Sequence, residues 1–192
     1  LDRFPRLKVT FEVHASPRIV EWVAARHFDI GVCQLTLEQP GVEIDNSFRT
    51  RCVCVAPLGH PLGKRETIGP ADLEGEPFVA LAQHTMGALH IDQTFNHANI
   101  RRDIRVETLP SFAACSLVAQ GLGVAIVDPL TADFFSHRDI LIRPFAPAVN
   151  FDFRTIHPAQ HIQSQAAELF IAEIRDYFLS RQQGISIDGI SE

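Results

Sequence analysis

The sequence predicts an α/β fold of two lobes joined by a hinge that the chain crosses twice. Strand-like and helix-like segments alternate along most of the 192 residues, and 46% of these residues are hydrophobic, enough for a substantial core. The segments form two groups, residues 1–46 and 50–128. Residues 131–192 are expected to return to the first group, so that they complete the first lobe. The repeated strand–helix–strand order predicts right-handed crossovers and parallel sheets.

In the first group, residues 7–13 alternate apolar and polar side chains at a period of two, which predicts a half-buried strand. Ser16 and Pro17 predict a helix start, with serine as the N-cap and proline at the first helical position. A short buried strand is expected at 28–33. Residues 50–56 predict another strand, which opens the second group.

The rest of the chain continues the same alternation. Short apolar runs bounded by turn residues predict strands at 78–81, 104–107, 124–127, 140–145 and 151–157. Helical spacing and start signals predict helices from about residue 87, over 112–120, after Asp128 and over 163–183. Gly121 and Gly184 are expected to end two of these helices. Residues 185–192 are expected to be a loose tail, and the Arg101–Arg102 pair a solvated turn.

Composition limits the function classes. A net charge of −6 opposes contact with phosphates, so this chain alone is not expected to bind duplex DNA. Apolar runs stay short of the roughly 20 residues that span a bilayer, so no membrane partner is expected. The four cysteines lie in apolar stretches and are expected to be buried thiols, which suggests the cytoplasm. Because the chain begins at Leu1 rather than methionine, we expect a fragment or a processed product.

Catalytic and metal-binding signatures are missing from the sequence. Gly121-Leu122-Gly123 follows a predicted helix and precedes a strand, the reverse of the order in a dinucleotide-binding fingerprint. The nine histidines show no paired spacing of the kind that metal sites use. We therefore predict a protein that is not an enzyme, with no catalytic residue, cofactor or metal.

A hydroxyl or carboxylate stands at four predicted helix starts: Ser16, Thr85, Ser111 and Asp128. Free amides and the positive dipole end make such starts suitable for an anion. Ordinary helix capping demands the same residue types, so each residue has a purely structural interpretation as well. Convergence on one cleft would make them contacts for a small anionic or zwitterionic molecule. Two roles remain open for Asp128: it is a helix cap only, or it also pairs with an ammonium group of the bound molecule.

Several segments in order resemble the effector-binding domain of LysR-type transcriptional regulators. They include Arg26-His-Phe-Asp-Ile-Gly31, Ala56-Pro-Leu-Gly-His-Pro-Leu62, Ile68-Gly-Pro-Ala-Asp-Leu-Glu-Gly-Glu-Pro-Phe78 and Leu117-Val-Ala-Gln-Gly-Leu-Gly-Val-Ala-Ile-Val-Asp-Pro-Leu130. The stretch after Val127, together with Ile142-Arg-Pro-Phe145, is most similar to the branch of the lysine-biosynthesis activator and the opine-responsive regulators. Together the segments cover nearly the whole chain.

The resemblance implies two Rossmann-like lobes, similar to type II periplasmic binding proteins, with an effector such as an amino acid or organic anion between them. It also implies a bacterial cytoplasmic regulator that forms a homodimer or tetramer. DNA contact belongs to an upstream winged helix-turn-helix domain, which this chain does not contain, and the family's first strand is also expected to be absent. Self-association is expected through the first-lobe helices at 17–25 and 163–183. The alternative is a periplasmic-type solute-binding receptor for a small organic anion or amino acid.

Overall fold

The computed structural model describes residues 4–35, 38–83, 85–136, 140–180 and 185–188. The described residues form five α-helices and nine β-strands. The helices are α1 (Ser16–Ala24), α2 (Met86–His97), α3 (Ser111–Ala119), α4 (Pro129–Phe134) and α5 (Gln165–Ser180). The strands are β1 (Gly31–Gln34), β2 (Val42–Arg51), β3 (Val53–Pro57), β4 (Pro77–Leu81), β5 (Asp103–Thr108), β6 (Ala125–Val127), β7 (Ile140–Pro144), β8 (Asn150–Pro158) and β9 (Ile185–Asp188).

The first lobe is built on an antiparallel sheet with strand order β1-β8-β2-β9. Helix α1 covers one face, where Val23 packs with Cys33 and Ile156. On the opposite face Phe48 of β2 stacks on Phe178 of α5, with ring centroids 3.9 Å apart. The first lobe therefore has its core on both faces of the sheet.

The second lobe contains the sheet β6-β3-β7 and the pair β4-β5, connected by a bridge between Phe78 and Val124. Only the β4–β5 pair and the two isolated bridges are parallel among the described pairings, so the expectation of parallel sheets is wrong for most of the molecule. The reason is that β2 continues into β3 and β7 leads to β8. These segments cross between the lobes in opposite directions and pair antiparallel.

The two crossings lie side by side. One passes through Cys52, and the other runs from Phe145 to Val149; the Cys52 amide donates to the Val149 carbonyl at 2.8 Å. Placing β7 in the first lobe was wrong, because β7 pairs with β3, with Ile142 opposite Val55. We therefore propose that the second lobe runs from about residue 53 to 144.

The alternating segment 7–13 is not a strand. Its apolar side chains are exposed, with 83% of the Phe11 surface open to solvent. Alternation marks a chain suited to a sheet, but a strand also needs a neighbour for its amides and carbonyls. No described strand pairs with this segment, so it forms no ladder.

The predictions for the carboxyl-terminal part of the chain have different outcomes. Residues 185–188 are not a loose tail but form β9, with Ile187 opposite Phe48 of β2. The predicted helix over 163–183 is α5, and its described part ends at Ser180. The predicted stop at Gly184 and the tail at 189–192 lie outside the described residues.

Arg102 is partly buried rather than solvated, whereas Arg101 is exposed. Its side chain is only 10% exposed and pairs with Asp92 of α2. The guanidinium carbon lies 5.0 Å from the centroid of the Phe78 ring and 5.2 Å from that of Phe95. Burial lowers the pKa of Arg102, while Asp92 opposes that shift. The aromatic contacts explain why this charge is tolerated beside the core.

Within the described ranges, no helix is long and apolar enough to span a bilayer.

Candidate functional site

A cavity of about 170 Å³ lies between the two lobes, and all four residues proposed from sequence line it. Ser16 comes from the start of α1 in the first lobe. Thr85, Ser111 and Asp128 come from helix starts in the second lobe. This volume is far above the roughly 10–15 Å³ that a single water needs, so the cavity can hold a small molecule. The fold thus brings together residues that are 112 positions apart in the chain, from Ser16 to Asp128.

Ser16 does not cap α1 as expected. Ala15 occupies the N-cap position without a side-chain hydrogen bond, and Ser16 is the first helical residue. Its Oγ instead accepts a hydrogen bond from the backbone amide of Gln34 at 3.0 Å. The reason lies in the tertiary structure. The end of β1 places a backbone amide beside Ser16, and the hydroxyl oxygen accepts from that amide instead of from an amide of its own helix. Ser16 therefore connects α1 to β1 at the cavity wall.

Thr85 is the N-cap of α2, as predicted. Its Oγ1 accepts from the Ala88 amide at 3.1 Å and donates to the Ala82 carbonyl at 2.9 Å. The hydroxyl proton is therefore already donated within the protein, and the oxygen can only accept a further hydrogen bond from a ligand.

Ser111 was also expected to cap its helix, but Pro110 holds the N-cap position of α3 and Ser111 begins the helix. Proline can take the extended conformation that an N-cap requires, and it contributes no capping side chain. The Ser111 hydroxyl makes no hydrogen bond with any described residue. Among the four predicted residues, it has the hydroxyl that is most available to a bound molecule.

Asp128 is the N-cap of α4 and is only 5% exposed. One carboxylate oxygen accepts from the Thr131 amide at 2.8 Å, and the other accepts from the Thr131 hydroxyl at 2.9 Å. The capping role is thereby confirmed. Each carboxylate oxygen keeps a further lone pair, so the ammonium-binding role is compatible with this geometry and remains a proposal.

Gln34 was not identified from the sequence, although it lines the same cavity. Its Oε1 accepts a hydrogen bond from the Gly87 amide of α2 at 3.1 Å, across the cleft. Gly87 fits closely against β8, because a Cβ at this position would lie 2.4 Å from Phe151 Cζ. A polar residue at the carboxyl end of a short buried strand was the signal available for Gln34.

The thiols near the cavity are unreactive in this setting. Burial raises the pKa of Cys33 to about 12, although Arg154 opposes the shift. Burial, with a smaller contribution from the Asp128 carboxylate, raises the pKa of Cys115 to about 12. Both thiols stay protonated at neutral pH, and a protonated thiol is a poor nucleophile and metal ligand. Within the described part of the chain, no group of three or more His, Cys, Asp or Glu residues could hold a metal ion.

The family model of the LysR substrate binding domain matches residues 1–179 of this chain. Regulatory protein NocR of Agrobacterium tumefaciens (strain T37) is 30% identical over 172 residues, covering 90% of this chain and 57% of NocR. Transcriptional activator protein LysR of Escherichia coli (strain K12) is 29% identical over 175 residues, covering 91% of this chain and 56% of that protein. The chain thus spans well under two thirds of the length of these two relatives.

Solved structures show the same fold. The effector binding domain of QuiR in complex with shikimate matches with a TM-score of 0.68 and 20% sequence identity, over 85% of this chain and 78% of that chain.

Proposed function

Because this chain belongs to the LysR substrate binding domain family, we propose that it is the effector-sensing domain of a bacterial LysR-type transcription factor. The observation that carries the proposal is the interlobe cavity, which Ser16, Thr85, Ser111 and Asp128 all line. NocR and LysR are regulators by name, which favours this function over that of a solute-binding receptor. The same relationship favours a regulator over an enzyme.

We propose that the effector is an amino acid or a derivative that carries both a carboxylate and an ammonium group. No lysine or arginine is among the described residues that line the cavity. A carboxylate would therefore be held by hydroxyls and backbone amides at the second-lobe helix starts, with Gly87 at the start of α2 and Ser111 at the start of α3, because helix starts favour anions. Asp128, nearly buried at the same cavity, favours a ligand with a positive group and disfavours a simple acid.

The remaining properties of the whole protein are proposals of the same kind. We propose that it binds DNA through an upstream winged helix-turn-helix domain and acts in the cytoplasm. We also propose a homodimer or tetramer formed through α1 and α5, where Phe170 of α5 is 55% exposed. Light scattering of this chain at tens of micromolar should show a species larger than a monomer, and a strict monomer would contradict the assembly.

The effector proposal is tested by thermal unfolding and calorimetry with L-lysine, L-arginine, the opine octopine and succinate. A ligand at 100 times its dissociation constant stabilises the folded chain by about 2.7 kcal/mol. We expect a saturable shift with at least one zwitterion and a weaker one with succinate. Saturable binding of succinate alone would contradict the zwitterion proposal. Absence of binding across all four compounds would contradict this effector class.

A further inference from the structure

We propose that the hydrogen bond between Gln34 and Gly87, which we call the interlobe latch, controls the relative position of the two lobes and competes with the effector. The proposal rests on the effector-sensing function proposed above and assigns a regulatory device to the same cavity. Gln34 is then a positioning residue. Its side-chain oxygen accepts from the Gly87 amide at the start of α2 until a ligand carboxylate takes over that hydrogen bond.

The latch connects the lobes through residues that are not part of the two covalent crossings. Gln34 ends β1 in the first lobe, and Gly87 is the second residue of α2 in the second lobe. The covalent crossings lie elsewhere, at Cys52 and between Phe145 and Val149. Two adjacent crossing strands allow one lobe to rotate against the other, and a further, noncovalent connection between the lobes restrains that rotation.

Neighbouring hydrogen bonds position both residues of the latch. The backbone amide of Gln34 donates to Ser16 Oγ at 3.0 Å, which holds the end of β1 against the start of α1. On α2 the Thr85 hydroxyl satisfies the Ala88 amide, and the Gly87 amide receives its acceptor from Gln34 at 3.1 Å. Helix starts leave amides without partners inside the helix, so Gln34 supplies from the other lobe what α2 lacks.

A second observation shows that the lobes are in close contact at this point. Gly87 lies so near the Phe151 ring of β8 that a Cβ would be 2.4 and 2.6 Å from two of its carbons. The start of α2 is therefore seated on the first-lobe sheet as well as hydrogen-bonded to it. Phe151 lies two residues beyond the second crossing and belongs to the same buried cluster as the second-lobe core, so this contact seats α2 beside the crossing while the hydrogen bond reaches β1.

Competition follows from the chemistry of the Gly87 amide. A carboxylate is a stronger acceptor for an amide than the neutral carbonyl of glutamine, because charge-assisted hydrogen bonds are the stronger ones. An effector carboxylate that reaches Gly87 would displace Gln34 Oε1 and free β1 from α2. Binding would then change the relative position of the lobes, which is the signal that a sensing domain has to transmit.

The latch is tested in the unliganded chain by amide hydrogen exchange, with three variants compared with wild type. Gln34→Met keeps the size and removes the strong acceptor, Gln34→Glu keeps an acceptor, and Gln93→Met is the matched control on the exposed side of α2. Wild type is the reference, and each Gly87 rate is divided by the rate of the buried Val55 amide to remove changes in global stability.

We expect the Gly87 amide to exchange about tenfold faster in Gln34→Met, as loss of one hydrogen bond predicts. Gln93→Met should stay close to wild type, and Gln34→Glu should exchange no faster than wild type, because a carboxylate is the stronger acceptor. Equal relative rates in Gln34→Met and wild type would overturn the latch, as would faster exchange in Gln34→Glu equal to that in Gln34→Met.

Competition is tested by calorimetry of the same variants with L-lysine and octopine. We expect Gln34→Met to bind a probe about threefold to tenfold more tightly, because the competing carbonyl is gone. Gln34→Glu should bind more weakly, because its charge repels a carboxylate. Weaker binding by Gln34→Met would overturn the competition. Failure of both probes to bind any variant would count against the proposed effector class, while the exchange rates would still decide the latch.

Discussion

Asp128 and Thr131 form a closed pair in which both carboxylate oxygens of the aspartate accept hydrogen bonds from one threonine, through its amide and its hydroxyl. The pair fixes the Asp128 side chain at the wall of the cavity before any ligand arrives. A cap is needed for α4, but a charge is not, since asparagine caps a helix about as well as aspartate. The charge at this position is therefore available for a second role.

Replacing Asp128 with asparagine should separate the two roles. The cap is retained, so we expect the free energy of unfolding to change by less than about 1 kcal/mol. Loss of the charge should weaken binding of L-lysine or octopine about tenfold, which corresponds to about 1.4 kcal/mol. Calorimetry checks the affinity and urea unfolding checks the stability. Equal affinity for the zwitterions in Asp128→Asn and wild type would leave only the capping role.

The hydroxyls of Ser111 and Thr85 should respond differently to removal. Ser111→Ala should leave stability within about 0.5 kcal/mol, because this hydroxyl has no described partner, and should weaken ligand binding. Thr85→Ala should cost about 1 kcal/mol of stability, because it removes the cap of α2. Ser136→Ala, at an exposed position outside the cavity, is the control. The hypothesis fails for Ser111 if its variant binds ligand as wild type does.

Gly87→Ala should destabilise the chain by about 1–3 kcal/mol, because the added methyl would collide with the Phe151 ring. Phe151→Leu should recover part of this loss in the double variant. Gly63→Ala is a suitable control, since its Cβ would meet only Leu141 side-chain carbons at 3.4 Å or more. Chemical unfolding of wild type, Gly87→Ala, Phe151→Leu and the double variant gives the coupling energy between the two positions. If Gly87→Ala leaves the free energy of unfolding unchanged, α2 is not packed against Phe151 as closely as this geometry requires.

The four free cysteines should resist alkylation in the native chain, because all four are buried. For Cys33 a pKa raised from 9.0 to about 12 lowers the thiolate fraction at pH 8 by about a thousandfold, which slows reaction with iodoacetamide. Reactivity should rise as the pH approaches the raised pKa, and it should be restored at pH 8 by denaturant. Mass spectrometry of labelled chains measures this. Rapid native labelling of Cys33 would contradict its protected position at the cavity.

Much of the local structure follows from signals within a few residues. Thr85 and Asp128 were recognisable as helix caps because the capped amides lie three positions further on. Gly121, with a φ of 81°, ends α3 as predicted, because glycine enters the left-handed region without strain. Ser16 and Ser111 were displaced by one residue from the predicted cap position, which shifts the hydrogen bond but not the side chain's place at the cavity.

Periodicity and helix-start chemistry were enough to predict the alternation of strands and helices, the two-lobed class and four residues of the cavity wall. Strand pairing could be read only from the folded chain: β7 pairs with β3, β9 pairs with β2, and none of the described strands pairs with 7–13. The tertiary structure also decided the bond between Gln34 and Gly87, which are 53 positions apart. The physical reason is that a strand or a glutamine carries its hydrogen-bonding capacity in its own sequence, whereas the partner that satisfies it is chosen by the packing of the whole chain.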